Sequence, residues 1–418
     1  MANFEIQIEL MKSMFDAAIK QALPSNSVPM HMPMPPKGRT IVVGAGKASA
    51  AMAQVFEQNW KGPLEGLIVT RYGHAVPCKS IEIVEAAHPV PDESGTKAAA
   101  RISQMMQGLT KDDLVVALIS GGGSALLSLP VDGVTVEEKR AVNRALLNSG
   151  APIGEMNCVR KHLSKIKGGR LAAAAYPAQV HTLVISDVPG DDLAAVASGP
   201  TVADPSTFAE ARAIIAKYNI EVPAPVTAHL AAAKDETPKN LSNTTSICIA
   251  SPQKSLEAAA ALAKKAGYTP IILGDAIEGE AREVGIVLAG IAMQARRFGH
   301  PIKPPCAIIS GGETTVTVKG TGAGGRNVEF LLALALKLNG AENIFALAGD
   351  TDGIDGAREV AGAFITPETL AIARSLSFDP WTSLSNNDAH NFFAATQSQI
   401  ITGPTLTNVN DFRVILVE

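Results

Sequence analysis

The sequence predicts an α/β protein of two domains. Three observations carry this reading: short β-branched or aliphatic runs recur along the chain, several end in glycine-rich or Asp/Ser loops, and alanine-rich helical stretches follow them. At 418 residues the chain exceeds what one hydrophobic core usually covers, so each of two domains is expected to bury its own. Hydrophobic residues at 46% and charged residues at 18% give a globular composition, where disorder would need more charge and less apolar material.

Taken in order, the stretch 4–23 sets Glu5, Glu9, Lys12, Asp16 and Lys20 among apolar residues and reads as an amphipathic helix. It lacks the unbroken apolar segment of a signal peptide. A proline-rich connector at 24–36 leads to a first strand at 40–43. Further strands are read at 67–70, 114–120, 182–186, 246–250, 270–273, 307–310 and 344–348. The βα rhythm breaks at Val222-Pro-Ala-Pro225 and the polar stretch 234–243, which places the expected domains at 1–240 and 241–418. An apolar strand runs into Ser-Gly-Gly twice, at 120–122 and 310–312, so each domain is expected to supply one ligand-facing loop to a cleft between them.

The bulk properties narrow the function. A net charge of −4 gives no basic excess to attract a phosphate backbone, so nucleic acid is not an expected partner. Cys78, Cys158, Cys248 and Cys306 stand singly without metal-ligand spacing and read as reduced thiols. The longest apolar run, Leu114–Ile119, is far short of the ~20 residues that span a bilayer, and a cytoplasmic protein is expected.

The chemistry concentrates in a few loops. The first strand enters Gly44-Ala-Gly46-Lys47-Ala-Ser49 and a helical stretch, gathering backbone N–H groups and the charge of Lys47 at one spot suited to an anion. Ser49 in the third glycine position, and no acid after Thr70-Arg71, argue against a dinucleotide there; a plain tight turn is the alternative. Ser120-Gly121-Gly122-Gly123-Ser124 leaves no side chain between backbone and ligand, so a phosphate or carboxylate can approach closely, while the G-x-S-x-G pattern of a nucleophile is not met.

The segment 157–170 carries Arg160, Lys161, Lys165, Lys167 and Arg170; with Asn157 as a helix cap, Arg160 and Lys161 would face a cleft, against the alternative of a solvated basic face. Asp187, at a strand's end, suits proton transfer or metal binding. The run Gly320-Thr-Gly322-Ala-Gly324-Gly325-Arg326 satisfies G-x-G-x-x-G between a strand at 314–318 and a helix near Asn327, and the next strand ends at Asp350. That keeps a nicotinamide cofactor open, although Arg326 suits the stabilisation of a moving phosphoryl group equally well. Asp350 and Asp352 fit Mg²⁺ bridging to substrate phosphates, and the fifth and sixth positions, Ile354 and Asp355, depart from a calcium loop.

In this order the segments resemble the class II glycerate kinases, a family once labelled as hydroxypyruvate reductases. The resemblance rests on Val43-Gly-Ala-Gly-Lys47-Ala, Ser120-Gly-Gly-Gly-Ser124-Ala, Val159-Arg-Lys-His-Leu-Ser164, Lys167-Gly-Gly-Arg170, Ser186-Asp-Val-Pro-Gly-Asp191, Ser198-Gly-Pro200-Thr, Gly324-Gly-Arg326-Asn, Gly349-Asp-Thr-Asp352-Gly and Thr402-Gly-Pro-Thr405. It implies a Rossmann-like, parallel-sheet first domain, a smaller mixed-sheet α/β second domain, and ATP-dependent phosphorylation of D-glycerate to 2-phospho-D-glycerate. Lys47 and Arg326 would be central to catalysis.

On that reading Gly44, Gly46, the 120–124 loop (Ser120, Gly121, Gly122, Gly123, Ser124), Gly322, Gly324 and Gly325 hold ATP. Lys47, Asn157, Arg160, Lys161 and Arg326 meet the substrate, Asp187 is the base, and Asp350 or Asp352 holds Mg²⁺. The rival readings are an NAD(P)H-dependent hydroxypyruvate reductase and a non-enzymatic nucleotide or carboxylate sensor. A homodimer is left open.

Overall fold

Two compact units are present in the computed structural model, which describes residues 4–356 and 358–418. One spans Pro24–Ile249; the other joins the chain up to Leu23 with Ala250–Glu418.

The first unit is built on strands β1 (Thr40–Ala45), β2 (Glu65–Arg71), β3 (Ile81–Ala86), β4 (Leu114–Ile119), β5 (Gln179–Ile185) and β6 (Thr244–Ala250), in the sheet order β3-β2-β1-β4-β5-β6. The pairs β3–β2, β2–β1, β1–β4 and β4–β5 are parallel. β1 and β4 are buried along their whole length, which is why both read as continuous apolar runs instead of alternating ones. Helix Ser49–Asn59 follows β1, and helix Glu93–Met105 starts where Asp92 accepts the Gly95 N–H at 2.9 Å. Strand order reverses between β1 and β4, so a crevice opens there beyond the carboxyl ends. The register Ala45–Ile119 and Ile119–Val184 sets the loops after β1, β4 and β5 side by side at that edge.

In the second unit the strands are β7 (Thr269–Gly274), β8 (Gly279–Glu280), β9 (Cys306–Gly312), β10 (Thr314–Thr315), β11 (Ile344–Asp350), β12 (Gly362–Ile365), β13 (Gln399–Ile400) and β14 (Asp411–Val417). The main sheet has the order β13-β12-β11-β14-β9-β7, antiparallel except for β7–β9, and β8 pairs with β10 separately. Alternate residues of β11 part to the two faces, as the pleat requires. Ile344, Ala346 and Ala348 join the core under helices Ala281–Phe298 and Arg326–Leu338. Phe345 and Leu347 join Met11, Met14, Phe15, Ala18 and Ile19 of helix Glu5–Ala22 and Leu256 of helix Pro252–Lys265.

All the strands read from sequence are present except that at 314–318, of which only Thr314 and Thr315 pair. The units differ from the expected 1–240 and 241–418. β6 completes the first sheet instead of opening the second, because 234–243 folds back: the Asn243 amide donates to the carbonyls of Ala172 and Ala178 at 3.2 and 2.9 Å, and Thr237 is buried. The N-terminal helix belongs to the second unit, where its 11/14/15/18/19/22 stripe is buried.

Candidate functional site

In the first unit the glycines after β1 are demanded by the neighbouring strand. A Cβ on Gly44 would collide with the Leu118 carbonyl, and one on Gly46, whose φ is +147°, with the Ser120 hydroxyl. The two loops are fastened together: Lys47 N–H donates to Gly121 O at 2.8 Å and Ala48 N–H to Ser120 Oγ at 3.0 Å, and Ser49 Oγ lies 3.1 Å from Ser120 Oγ. Ser120, Gly44 and Gly46 thus build the crevice floor, and the buried Ser120 hydroxyl is not offered to a ligand. Gly121 and Gly122 are different. Their N–H groups have no partner among the described residues, and Gly122, at φ +80°, is overlain by His88 and the Lys47 side chain, with a Cβ there meeting them at 3.1 and 3.4 Å. Gly123 packs too closely on the Ala45 carbonyl, 2.7 Å for a Cβ, to admit any side chain.

A cavity of about 360 Å³ opens beside this loop. Its wall includes Gly122, Ser124, Arg160 and Lys167. Lys167 Nζ donates to the Ser124 carbonyl at 2.6 Å and to its hydroxyl at 2.9 Å; Ser124 Oγ lies 2.9 Å from Ser198 Oγ, which reaches Asn157 Oδ1 at 3.4 Å. Asn157 Oδ1 also accepts from Arg160 at 3.4 Å. The loop bearing Ser198 is held at φ +52° and +60° for Ala197 and Ser198, values that non-glycine residues adopt only when their surroundings enforce them. Burial, together with neighbouring cations, holds the Lys167 ammonium well below its usual range, and burial lowers Arg160 as well.

Two expectations change here. Asn157 lies in the middle of helix Ile153–His162, not at its cap, and Arg160 and Lys161 are in its last turn. Lys161 points to Asp204, 3.2 Å away, and both are buried, so its charge is already neutralised within the protein and it does not line the cavity. Successive helical residues are ~100° apart, which is why Arg160 faces the cavity and its neighbour does not. Asp187 is half-buried in the loop after β5, next to the 120–124 loop by register.

The second unit gathers charges at the end of its sheet where Asp350, Asp411 and Gly312 are in register. Arg326, first residue of its helix, donates from Nε to Asp411 at 2.8 Å, from Nη1 to Glu313 at 2.6 Å and from Nη2 to Asp350 at 2.6 Å. Desolvation opposes the guanidinium charge, but Asp411, Asp350 and Glu313 outweigh it and raise its pKa beyond the usual value. Asp411 also accepts from the fully buried Arg413 at 2.6 Å and from the Asn327 amide at 2.8 Å.

The glycine run before Arg326 is not the expected phosphate cradle. The faces of Gly320, Gly322 and Gly324 are filled by residues 386–388, and that of Gly325 by Asp355. The N–H groups of Lys319 and Gly320 donate to Asn387 Oδ1, Thr321 to Asn386 Oδ1, Gly322 to Asn386 O and Ala323 to Asp388 Oδ1. The helix N-terminus is capped from within, since Asp355 accepts from Asn327 and Val328 at 3.1 and 3.0 Å. The G-x-G-x-x-G match is therefore a packing pattern, and the dinucleotide reading loses its support. Asp350 and Asp352, the expected Mg²⁺ ligands, are buried and accept hydrogen bonds within the protein. Asp350 accepts from Arg326 and the Asp352 N–H, and Asp352 accepts from the Ile354 N–H.

Lys139 and His88 also line the cavity and were not singled out as site residues from sequence. A signal for Lys139 existed. It occupies the buried stripe of helix Val136–Asn148 with Val142 and Leu146, where an apolar residue belongs. His88 has no metal-spaced partner in the sequence and reads there as a structural histidine.

Comparison with known proteins agrees with this architecture. Residues 10–231 match the family model described as Domain of unknown function (DUF4147), and residues 306–411 match the MOFRL family. The chain is 55% identical to a putative hydroxypyruvate reductase of Agrobacterium vitis, over 98% of this chain and 94% of that one. It is 41% identical to the D-glycerate 2-kinase of Thermotoga maritima, over 99% and 98% of the two chains, and 38% identical to the glycerate 2-kinase of Pyrococcus horikoshii, over 91% and 88%. The crystal structure of a Thermotoga maritima glycerate kinase superposes with a TM-score of 0.91 at 40% identity, covering 99% of this chain and 100% of that one.

Proposed function

Since the chain belongs to the class II glycerate kinase family, we propose that it transfers the γ-phosphoryl group of ATP to the 2-hydroxyl of D-glycerate, giving 2-phospho-D-glycerate and ADP. The observation that carries the reading is the cation-lined cavity beside the Gly121–Gly122 loop at the β1/β4 crevice. Phosphoryl transfer asks a protein mainly for positioning and charge neutralisation, and unused N–H donors with buried cations supply both. Lys47, running over Gly122, is the proposed charge facing the transferring group. Asp187, on the neighbouring loop, is the proposed acceptor of the substrate hydroxyl's proton. Arg326 is proposed to stabilise the phosphoryl charge; of its three carboxylate partners Glu313 is the exposed one, which an incoming oxyanion can displace. A Mg²⁺ accompanying ATP needs only one or two carboxylates beside the phosphates, and Asp350 or Asp352 is the proposed holder.

Among the described residues, neither glycine-rich loop supports the reductase name borne by some relatives. β2 ends at Arg71 with no acid for a ribose, and the G-x-G-x-x-G glycines are filled by protein. No helix among the described residues is long and apolar enough to cross a membrane. A cytoplasmic enzyme of small metabolites is the proposed setting.

The test is a coupled assay with D-glycerate, Mg²⁺ and ATP beside one with hydroxypyruvate and NADH or NADPH. ADP release dependent on D-glycerate, with 2-phosphoglycerate identified by phosphorus NMR, is expected; nicotinamide oxidation without ADP release would sink the reading. Lys47→Ala and Arg326→Ala should each lower kcat by ~10²-fold or more at saturating substrates. Near-normal turnover in either removes that residue from the chemistry.

A further inference from the structure

The cavity beside the 120–124 loop is lined by five cationic side chains, Lys139, Arg140, Arg144, Arg160 and Lys167, and by no aspartate or glutamate. Arg140 has an outlet: it donates to the Pro91 carbonyl and lies 3.8 Å from Glu137. Arg144 is exposed. The remaining three are different. Among the described residues the ammonium of Lys139, 3% exposed, has no hydrogen-bond partner, that of Lys167, 2% exposed, meets only Ser124, and the buried Nε of Arg160 is unpaired. No carboxylate among the described residues is within ion-pair distance of any of them. Burying basic groups together without a counter-ion disfavours their charged forms, and a bound anion supplies the missing negative charge.

We propose that Lys139, Arg160 and Lys167, with the Ser124 hydroxyl, form a preassembled seat for the polyphosphate tail of a nucleoside triphosphate, the apolar rim of Val90, Pro91 and Leu147 taking its base. The assignment deepens the kinase reading and rests on it for the identity of the nucleotide. Charge decides between the two reactants. A glycerate carboxylate offsets one positive charge, whereas a triphosphate carries enough to hold all three side chains in their charged forms. Size agrees, since a volume of about 360 Å³ falls within the range of small-molecule sites and leaves ample room around a three-carbon acid. The ionisation of Lys139 follows the same logic: burial, with Arg160 beside it, pulls its pKa down to about 7. Lys167 and Arg160 face it, Arg140, Arg144 and His88 line the same cavity, and an arriving anion favours its protonated form. Tripolyphosphate affinity should therefore weaken as pH rises from about 6.5 to 8.5, and more steeply in the native chain than in Lys139→Met.

The experiment is calorimetric titration of tripolyphosphate, ATP and D-glycerate into the full chain and into Lys139→Met and Lys167→Met, with the melting temperature of each ligand-free protein. Expected are at least a 10-fold weaker Kd for tripolyphosphate and ATP in both variants, a Kd for D-glycerate changed less than about 2-fold, and a ligand-free Tm for Lys139→Met equal to or above the native one. Unchanged tripolyphosphate affinity overturns the proposal, as does a loss confined to D-glycerate. A lowered Tm with every ligand weakened alike also overturns it, by making Lys139 a structural residue. Tripolyphosphate binding needs no turnover, so an intact seat in a protein that fails to phosphorylate D-glycerate would count against the kinase reading alone.

Discussion

At Gly46 φ is +147°, and the nearest atoms to a would-be Cβ are the Ser120 hydroxyl and, at 2.5 Å, the Ser120 carbonyl. A methyl group there meets backbone as well as side chain, so rotation of Ser120 alone cannot make room. Gly46→Ala should destabilise the first unit by ~2–3 kcal/mol through backbone strain and overlap, read as a lower urea midpoint. Ser120→Ala, which removes the acceptor for Ala48 N–H and the hydroxyl contact with Ser49, should cost about 1–2 kcal/mol. Combining the two should recover part of the Gly46→Ala loss, the carbonyl contact keeping the rest. If Gly46→Ala abolishes activity at an unchanged midpoint, the glycine serves a ligand and the packing account fails. The same comparison separates Gly46 from Gly122, where the neighbours of a Cβ are the His88 ring and the Lys47 side chain, both able to move.

Helix Arg326–Leu338 depends on one buried carboxylate. Asp355 is fully buried, accepts the N–H groups of Asn327 and Val328, and fills the face of Gly325. Desolvation, helped by Asp411 and opposed by the two N–H donors and Arg326, raises its pKa to about 6. A carboxyl whose folded pKa lies above the unfolded value of about 3.9 binds its proton more tightly in the native state, so its contribution to stability is largest below pH ~4 and declines as pH rises to about 6. Asp355→Asn should flatten that part of the stability–pH curve. Asp355→Ala leaves two buried donors unpaired and should cost ~2–4 kcal/mol near neutrality, more than Asn does. Equal losses for Asn and Ala would show that the cap is not what the carboxylate supplies.

This helix also shows what the sequence could not disclose. β1 and β4 were legible because each is a local apolar run closed by glycine, and Lys47 and the 120–124 loop follow directly from them. The G-x-G-x-x-G run was misleading, because whether a glycine makes room for a pyrophosphate or for residues 386–388 depends on a segment some sixty positions away. Lys139, Lys167 and Ser198 likewise come together only in three dimensions. Lys139 within Glu137-Glu138-Lys139-Arg140 reads as part of a solvated face until the burial of Val142 and Leu146 fixes which side of the helix is inside.

Across the whole chain, the way the units are assembled from sequence has a testable consequence. Residues 5–22 precede the first unit in sequence but supply the second unit's core, Met11, Met14, Phe15 and Ala18 packing with Phe345, Leu347, Phe412 and Val414 on one face of the mixed sheet. Phe15 is 1% exposed, its ring lies 5.7 Å from that of Phe412, and it reaches the backbone of Gly349, where a Cβ would sit 3.0 Å from it, directly before Asp350. A fragment of residues 250–418 would expose that face to water, and its loss of order should reach the Asp350–Arg326 contact through Gly349. The expected result is a molten or aggregating fragment that becomes cooperative when residues 1–23 are joined to it through a flexible linker, whereas residues 24–249 melt cooperatively alone. In the full chain Phe15→Ala should cost about 3–5 kcal/mol, and its effect should fall on the second unit, seen as faster hydrogen exchange in β11 and β14 with β1 and β4 unchanged. Cooperative unfolding of 250–418 without the helix, or exchange accelerated equally in both sheets, would show that the N-terminal helix is not an integral layer of that core.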